Sequence, residues 1–248
     1  MSFNNKVVIV TGASSGIGAA VAKEFSSEGA QVVMVGRNEA KLSAVAAECD
    51  KPLVIRADVA NDDDARRIID ETIKQFGKLD VLVNNAGLGS NTSCILEGDI
   101  MNEYDNLMRV NLRAVIHLTK LAAPHLIKTK GNIVNISSVG GSITPKLPNF
   151  ISYCVTKAGL NHFSACAALE LGPKGVRVNT ISPGPVKTSL IDRSNIPLTW
   201  NELENATILK RLSEPREIAH LVLFLASDKA VGITSSNYII DNGASNYH

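Results

Sequence analysis

Seven short apolar runs, rich in β-branched residues, punctuate the chain at 7–10, 31–35, 53–55, 81–83, 133–136, 176–181 and 238–240. They are largely continuous rather than alternating, as in strands buried on both faces. The stretches 17–27, 38–48, 60–76, 111–128, 153–171 and 218–226 have helical patterns instead. Gly29, Gly77 and the pair Gly172-Pro173 stand where helices stop, and Ser213, Pro215 and Glu217 resemble the start of the last one. Strand and helix alternate throughout. This predicts a single α/β domain over 1–248, a doubly wound parallel sheet of about seven strands with helices on both faces. Ligands of such sheets bind beyond the carboxyl ends of the strands. The stretch 185–213, with Pro185, Pro197 and Trp200, is too long for an ordinary connection and is expected to be a substrate loop or lid.

Composition narrows the function classes. Of the 248 residues, 45% are hydrophobic and 20% charged, and the formal net charge is +1, so no basic footprint for nucleic acid or an anionic membrane is present. No run approaches the roughly 20 apolar residues of a membrane span. The first apolar run is too short for a signal segment and lacks a basic leader, and the last residues carry no lipidation or peroxisomal motif. A cytoplasmic protein is expected. Cys49, Cys94, Cys154 and Cys166 form no C-x-x-C pair, and no histidine stands at metal spacing from them. Free thiols and no metal site are the expectation. Cys154 either lines a site next to Tyr153 or simply fills space.

The candidate chemistry lies at the strand ends. After the first run come Thr11-Gly12-Ala13-Ser14-Ser15-Gly16-Ile17-Gly18. Glycines here permit a tight turn and close approach of a pyrophosphate, and the following helix offers free N–H groups and its positive dipole end. Tyr153 and Lys157 stand at i and i+4, on one helix face. A tyrosine with pKa near its usual value of about 10 is a poor acid–base catalyst at neutral pH. A nearby ammonium and a helix N-terminus are expected to lower it.

The spacing G-x-x-x-G-x-G, with Asn84-Asn85-Ala86-Gly87 and Tyr-x-x-x-Lys, resembles the classical short-chain dehydrogenase/reductase family, over nearly the whole chain. The resemblance implies a Rossmann-type fold and a nicotinamide dinucleotide held by Gly12, Ser14, Ser15, Gly16, Ile17 and Gly18. Asp58 and Val59 would take the adenine, although Asp58 also reads as a helix N-cap. Asn85, Ala86 and Gly87 would line the cofactor. Pro183, Gly184, Val186 and Thr188, in Pro183-Gly184-Pro185-Val186-Lys187-Thr188, would dock the nicotinamide carboxamide, with Tyr153 and Lys157 near its ribose.

Gly36 stands where an acidic residue would select NAD, and Arg37 follows it, suited to a 2′-phosphate. The family's second NADP mark, a basic residue before the second turn glycine, is replaced by Ser15. NADP(H) is therefore expected mainly on Arg37.

The resemblance also implies a catalytic tetrad of Asn111, Ser138, Tyr153 and Lys157, in which Asn111 orders a water on the lysine. Ser137 remains an alternative to Ser138. Tyr153 lies 15 positions after Ser138 (153 − 138), slightly beyond the usual family spacing, and the loop 144–152 is expected to bulge without disturbing the catalytic geometry.

The expected activity is reduction of a ketone or aldehyde, or oxidation of the matching alcohol, with the pro-S hydride. Leu88, Cys94, Ile95, Leu147, Phe150, Ile151, Leu190, Ile191, Leu198 and Trp200 make an apolar set of candidate pocket residues. It points to a hydrophobic carbonyl, such as a 3-oxoacyl chain, a steroid or ecdysteroid ketone, or an isoprenoid or xenobiotic carbonyl. Relatives are commonly homotetramers or homodimers, so helices 111–128 and 153–171 and the last strand are expected at interfaces. The alternative function is a non-catalytic dinucleotide-binding sensor. A methyltransferase on a similar sheet is disfavoured by the Tyr–Lys pair and Arg37.

Overall fold

The computed structural model describes residues 2–90, 93–145, 149–188 and 199–246. Seven parallel strands form one sheet in the order β3-β2-β1-β4-β5-β6-β7. They are β1 (Val7–Thr11), β2 (Gln31–Gly36), β3 (Leu53–Arg56), β4 (Val81–Asn84), β5 (Asn132–Ile136), β6 (Arg177–Pro183) and β7 (Asn237–Ile240). Each run read from the sequence is a strand. Most extend a residue or two further, because backbone pairing continues into polar ends that hydrophobicity does not mark.

Strand alternation divides the core between two layers. Val8 and Val10 of β1 face one cluster, while Val7 and Ile9 face the other. The first layer holds α1 (Gly16–Ser27), α2 (Glu39–Ala46) and the last long helix. The second holds α3 (Asp62–Phe76), α5 (Ala114–Thr129) and α6 (Ile151–Leu171). Both faces of the inner strands are thus covered, as their unbroken apolar sequences require. Strand order reverses direction between β1 and β4, so a crevice opens beyond their carboxyl ends.

Several boundaries differ from the sequence reading. The helix expected at 111 begins earlier, as α4 (Ile100–Met108), then passes through a π-helical turn, Arg109–Arg113, into α5. The polar stretch Asn102-Glu103-Tyr104-Asp105-Asn106 hides α4 from a hydrophobic scan. A short α7 (Trp200–Asn205) lies within the expected substrate loop, of which 189–198 fall outside the described residues. The last helix is α8 (Pro215–Ala226), and its N-cap is Glu214, not Ser213. Ser213 is engaged elsewhere: its amide donates to Pro185 O, and its hydroxyl accepts from Asn242. Asp58 does not cap α3 either, since Asn61 does, accepting from the amides of Asp63 and Asp64.

Candidate active site

The phosphate turn joins β1 to α1. Gly12 and Gly16 have φ of 69° and 56°, the left-handed region that favours glycine. A Cβ on Gly12 would meet Asn85 Nδ2 at 2.8 Å and Ala86 Cα at 3.0 Å. Ser15 begins α1 in extended backbone and makes no side-chain cap bond, leaving the first-turn amides without that acceptor. Ser14, Ser15, Gly16 and Ile17 line a cleft of about 190 Å³ together with Gly36, Arg37, Asp58, Val59, Asn85, Ala86, Gly87 and Thr188.

Gly18, expected in this group, does not line the cleft. It is buried beneath the turn, where a Cβ would fall 2.3 Å from Gly12 O and 2.4 Å from Asn85 Nδ2. Its role is to let α1 pack against the turn.

At the far end of the cleft, Arg37 is exposed and its Nη1 lies 3.8 Å from Asp58 Oδ2. Asp58 Oδ1 accepts from the Ala60 amide. On the opposite wall, the paired asparagines divide their work. Asn84 Nδ2 donates to Asn135 Oδ1 and Asn135 Nδ2 donates to Ser164 Oγ, each at 2.8 Å, tying β4, β5 and α6 together. Asn85 instead bridges the switch point: its Nδ2 donates to Thr11 O at 2.9 Å and its amide to Thr11 Oγ1 at 3.0 Å.

The cleft runs into a second cavity of about 290 Å³, with Ile17, Asn85, Gly87, Leu88 and Thr188 shared between them. Ser138, Tyr153, Lys157, Pro183, Gly184 and Val186 line it, with Leu88, Ile136, Val139, Pro145, Phe150 and Leu203. Thr188 also packs against the turn, since a Cβ on Gly16 would meet its Cγ2 at 3.0 Å.

Geometry separates the two candidate serines. Ser137 is buried and donates to Lys157 O at 3.3 Å, whereas Ser138 lines the cavity with Tyr153 and its hydroxyl accepts from the Gly140 amide. The longer spacing between Ser138 and Tyr153 leaves both in the wall of one cavity; within the connecting loop, 146–148 lie outside the described residues.

Lys157 is buried. Its Nζ donates to Ile136 O at 3.0 Å and lies 5.7 Å from the centre of the Tyr153 ring. Burial lowers its pKa from 10.5 to about 8. The expected depression at Tyr153 is not what the site produces. Burial raises that phenol above its ordinary value, and the Ser138 hydrogen bond opposes the rise only in part.

Asn111 sits in the π-helical turn. Its Oδ1 accepts from the Leu88 amide at 2.8 Å, and its Nδ2 donates to Leu88 O at 3.0 Å and to Thr156 Oγ1 at 3.2 Å. It secures the cavity wall, and a Cβ on Gly87 would lie 3.3 Å from its Oδ1 and 3.8 Å from Lys157 Nζ.

Of the expected apolar pocket residues, Leu88 and Phe150 line the second cavity, and Phe150 meets the Tyr153 ring edge-on at 6.4 Å. Cys94, Ile95, Ile151 and Cys154 line a neighbouring groove. Leu147, Leu190, Ile191 and Leu198 lie outside the described residues. Trp200 is half-exposed at the start of α7, and it is Leu203 of that helix that reaches the cavity. Leu203, Ser90 and Pro145 were not singled out in the sequence; only the fold brings their distant segments to the cavity. All four cysteines are free thiols.

A family model described as enoyl-(acyl carrier protein) reductase matches residues 12–245. The chain belongs to the short-chain dehydrogenase/reductase family. L-fucose dehydrogenase of Bos taurus is 36% identical over 247 residues, covering 98% of this chain and 90% of that protein. Meso-2,3-butanediol dehydrogenase of Serratia marcescens is also 36% identical, covering 98% and 96% respectively. The crystal structure of 3-ketoacyl-(acyl-carrier-protein) reductase from Brucella melitensis, complexed with NADH, matches with a TM-score of 0.91 at 31% identity. It covers 98% of this chain and 100% of that one.

This member of the family is an oxidoreductase of alcohol or ketone substrates that uses a nicotinamide dinucleotide. The cleft suits that group: side-chain-free glycines and uncapped amides at one end lead to a Ser–Tyr–Lys cluster at the other. Among the described residues, no helix is long and apolar enough to cross a membrane.

Proposed function

We propose that the protein is an NADP(H)-dependent carbonyl reductase acting on a small hydrophobic ketone or aldehyde, and on the matching alcohol in reverse. The observation that carries this reading is that Ser138, Tyr153 and Lys157 meet in the wall of an apolar cavity that opens from the dinucleotide cleft. Gly12, Ser14, Ser15, Gly16 and Ile17 would hold the pyrophosphate, Asp58 and Val59 the adenine, and Asn85, Ala86 and Gly87 the cleft wall. Pro183, Gly184, Val186 and Thr188 would position the nicotinamide, which supplies or takes up the hydride when bound.

Ser138 Oγ and Tyr153 Oη would both bond the substrate oxygen. Burial keeps Tyr153 protonated, which suits it to donate a proton to the developing alkoxide. Lys157 Nζ, beside the ring, would stabilise the phenolate left behind. With a pKa of about 8, it remains largely charged at neutral pH yet able to pass on a proton. Asn111 would keep Leu88 in place at the cavity wall.

Gly36 and exposed Arg37 support NADP(H), Arg37 turning from Asp58 to a 2′-phosphate. Among the described residues lining the substrate cavity, Lys157 is the sole charged side chain, which supports an uncharged, apolar substrate. Exposed Ile116 on α5, Val155 and Leu169 on α6, and Ile239 on β7 support a homodimer or homotetramer. A cytoplasmic location fits the same reading.

The test is a binding titration of NADPH and NADH with the native protein and Arg37→Asp, followed by a ketone panel with the preferred cofactor. Native preference for NADPH, lost in the variant, is expected. Equal affinity for both cofactors in the native protein would remove the NADP assignment. Cofactor binding without turnover of any ketone would favour the sensor.

A further inference from the structure

Helix α4 carries a carboxyl group that the proposed chemistry does not use. Glu103 is buried, and its Oε2 accepts from the Ser93 amide at 3.2 Å. Its Oε1 lies 2.6 Å from Ser90 Oγ, and that same hydroxyl is hydrogen-bonded to the carbonyl of Asn149. Ser90 is buried and lines the substrate cavity. Asn149 holds a φ of 72° immediately before Phe150, whose ring meets Tyr153. One serine therefore joins the loop after β4 to the segment leading into the catalytic helix.

Counting protons decides the state of this junction. A serine hydroxyl has one proton, and a carbonyl oxygen can only accept. When Ser90 gives its proton to Asn149 O, the contact with Glu103 Oε1 is a hydrogen bond only if the carboxyl supplies the second proton. An ionised Glu103 would compete with Asn149 for the single serine proton, and one of the two contacts would be lost.

We propose that Glu103 is a positioning residue held as a neutral acid. Its carboxyl proton bonds Ser90 Oγ, Ser90 bonds Asn149 O, and this relay sets the width of the substrate cavity. The effect on catalysis rests on the reading of that cavity as the substrate site; the relay itself does not. Asn111 holds Leu88 from the neighbouring π-helical turn, so one run of helix anchors this loop at two points.

The test compares Glu103→Gln, Glu103→Ala and Ser90→Ala in the full chain. Gln carries an amide that can donate to Ser90 Oγ and an oxygen that can accept from Ser93. In the infrared difference between the native protein and Glu103→Gln at pH 7, a protonated-carboxyl stretch is expected; carboxylate bands in its place overturn the neutral acid. Amide exchange in peptides spanning Leu88–Ser90 and Asn149–Tyr153 should quicken roughly tenfold in both alanine variants, the scale of one lost buried hydrogen bond, and stay native-like in the Gln variant. Native-like exchange in Glu103→Ala overturns the relay.

With the best ketone of the panel and saturating NADPH, Glu103→Ala should raise KM roughly tenfold while kcat and NADPH affinity change less than twofold, and Glu103→Gln should restore KM. An unchanged KM, or a parallel loss of cofactor affinity, overturns the positioning role. The infrared and exchange readouts need no turnover, so they fail separately from the catalytic reading.

Discussion

Replacing the buried lysine of the site should make the protein more stable, not less. Lys157 is 6% exposed, and burial lowers its pKa from 10.5 to about 8. At about 1.4 kcal/mol per pKa unit, keeping that ammonium charged in the folded protein costs about 3 kcal/mol at neutral pH. Lys157→Met removes the charge at similar length. It also removes the bond to Ile136 O, worth about 1 kcal/mol. The net expectation is a variant about 2 kcal/mol more stable at pH 7, with catalysis lost.

The sign over pH follows from linkage. Below about pH 8 the lysine is charged both folded and unfolded, and the full cost is present. Between about 8 and 10.5 the unfolded chain binds more protons, so native stability rises with pH and the variant's advantage shrinks. Above 10.5 the cost is gone and only the lost hydrogen bond remains. Urea unfolding of both proteins without cofactor, at pH 7 and pH 10, measures the difference. A Lys157→Met protein less stable than native at pH 7, or an advantage that stays constant with pH, refutes the reasoning.

The other variants probe the turn and the serine pair. Gly18→Ala puts a methyl against the Gly12 carbonyl, where backbone must move, and should lose about 1–3 kcal/mol of stability and weaken both nicotinamide dinucleotides alike in a binding titration. Ser138→Ala should lower kcat by roughly 100-fold or more, whereas Ser137→Ala, whose hydroxyl bonds only the Lys157 carbonyl among the described contacts, should stay within a few-fold in steady-state assays. Similar losses in the two serine variants would contradict their assignment.

What the sequence disclosed and what it concealed have physical reasons. Strands buried on both faces leave unbroken apolar runs, so the sheet could be read from Val8, Val33 and Ile133 and their neighbours. The glycine turn and the Tyr–Lys pair were legible because their chemistry depends on local spacing. The choice between Ser137 and Ser138 was not, because it depends on which side of β5's end meets α6. Helix α4 escaped notice because its buried face includes a carboxyl, Glu103, rather than another apolar residue. The Tyr153 shift was misjudged because spacing reveals a nearby ammonium but not the burial that outweighs it. Asp58 and Ser213 look like helix caps in sequence, yet Asn61 and Glu214 are the residues placed there by the backbone.

The π-helical turn Arg109–Arg113 amounts to one surplus residue in an otherwise regular rod. The regular segments on either side, α4 and α5, carry buried faces of their own. An α-helix turns by about 100° per residue, so deleting one residue here would let the hydrogen-bond ladder close in ordinary register while swinging Asn111 away from Leu88 and Thr156. The shortened helix would keep its packing and lose its hold on the cavity wall. A one-residue alignment gap at this point among related chains would therefore distinguish members that keep this anchor from members that keep only the scaffold.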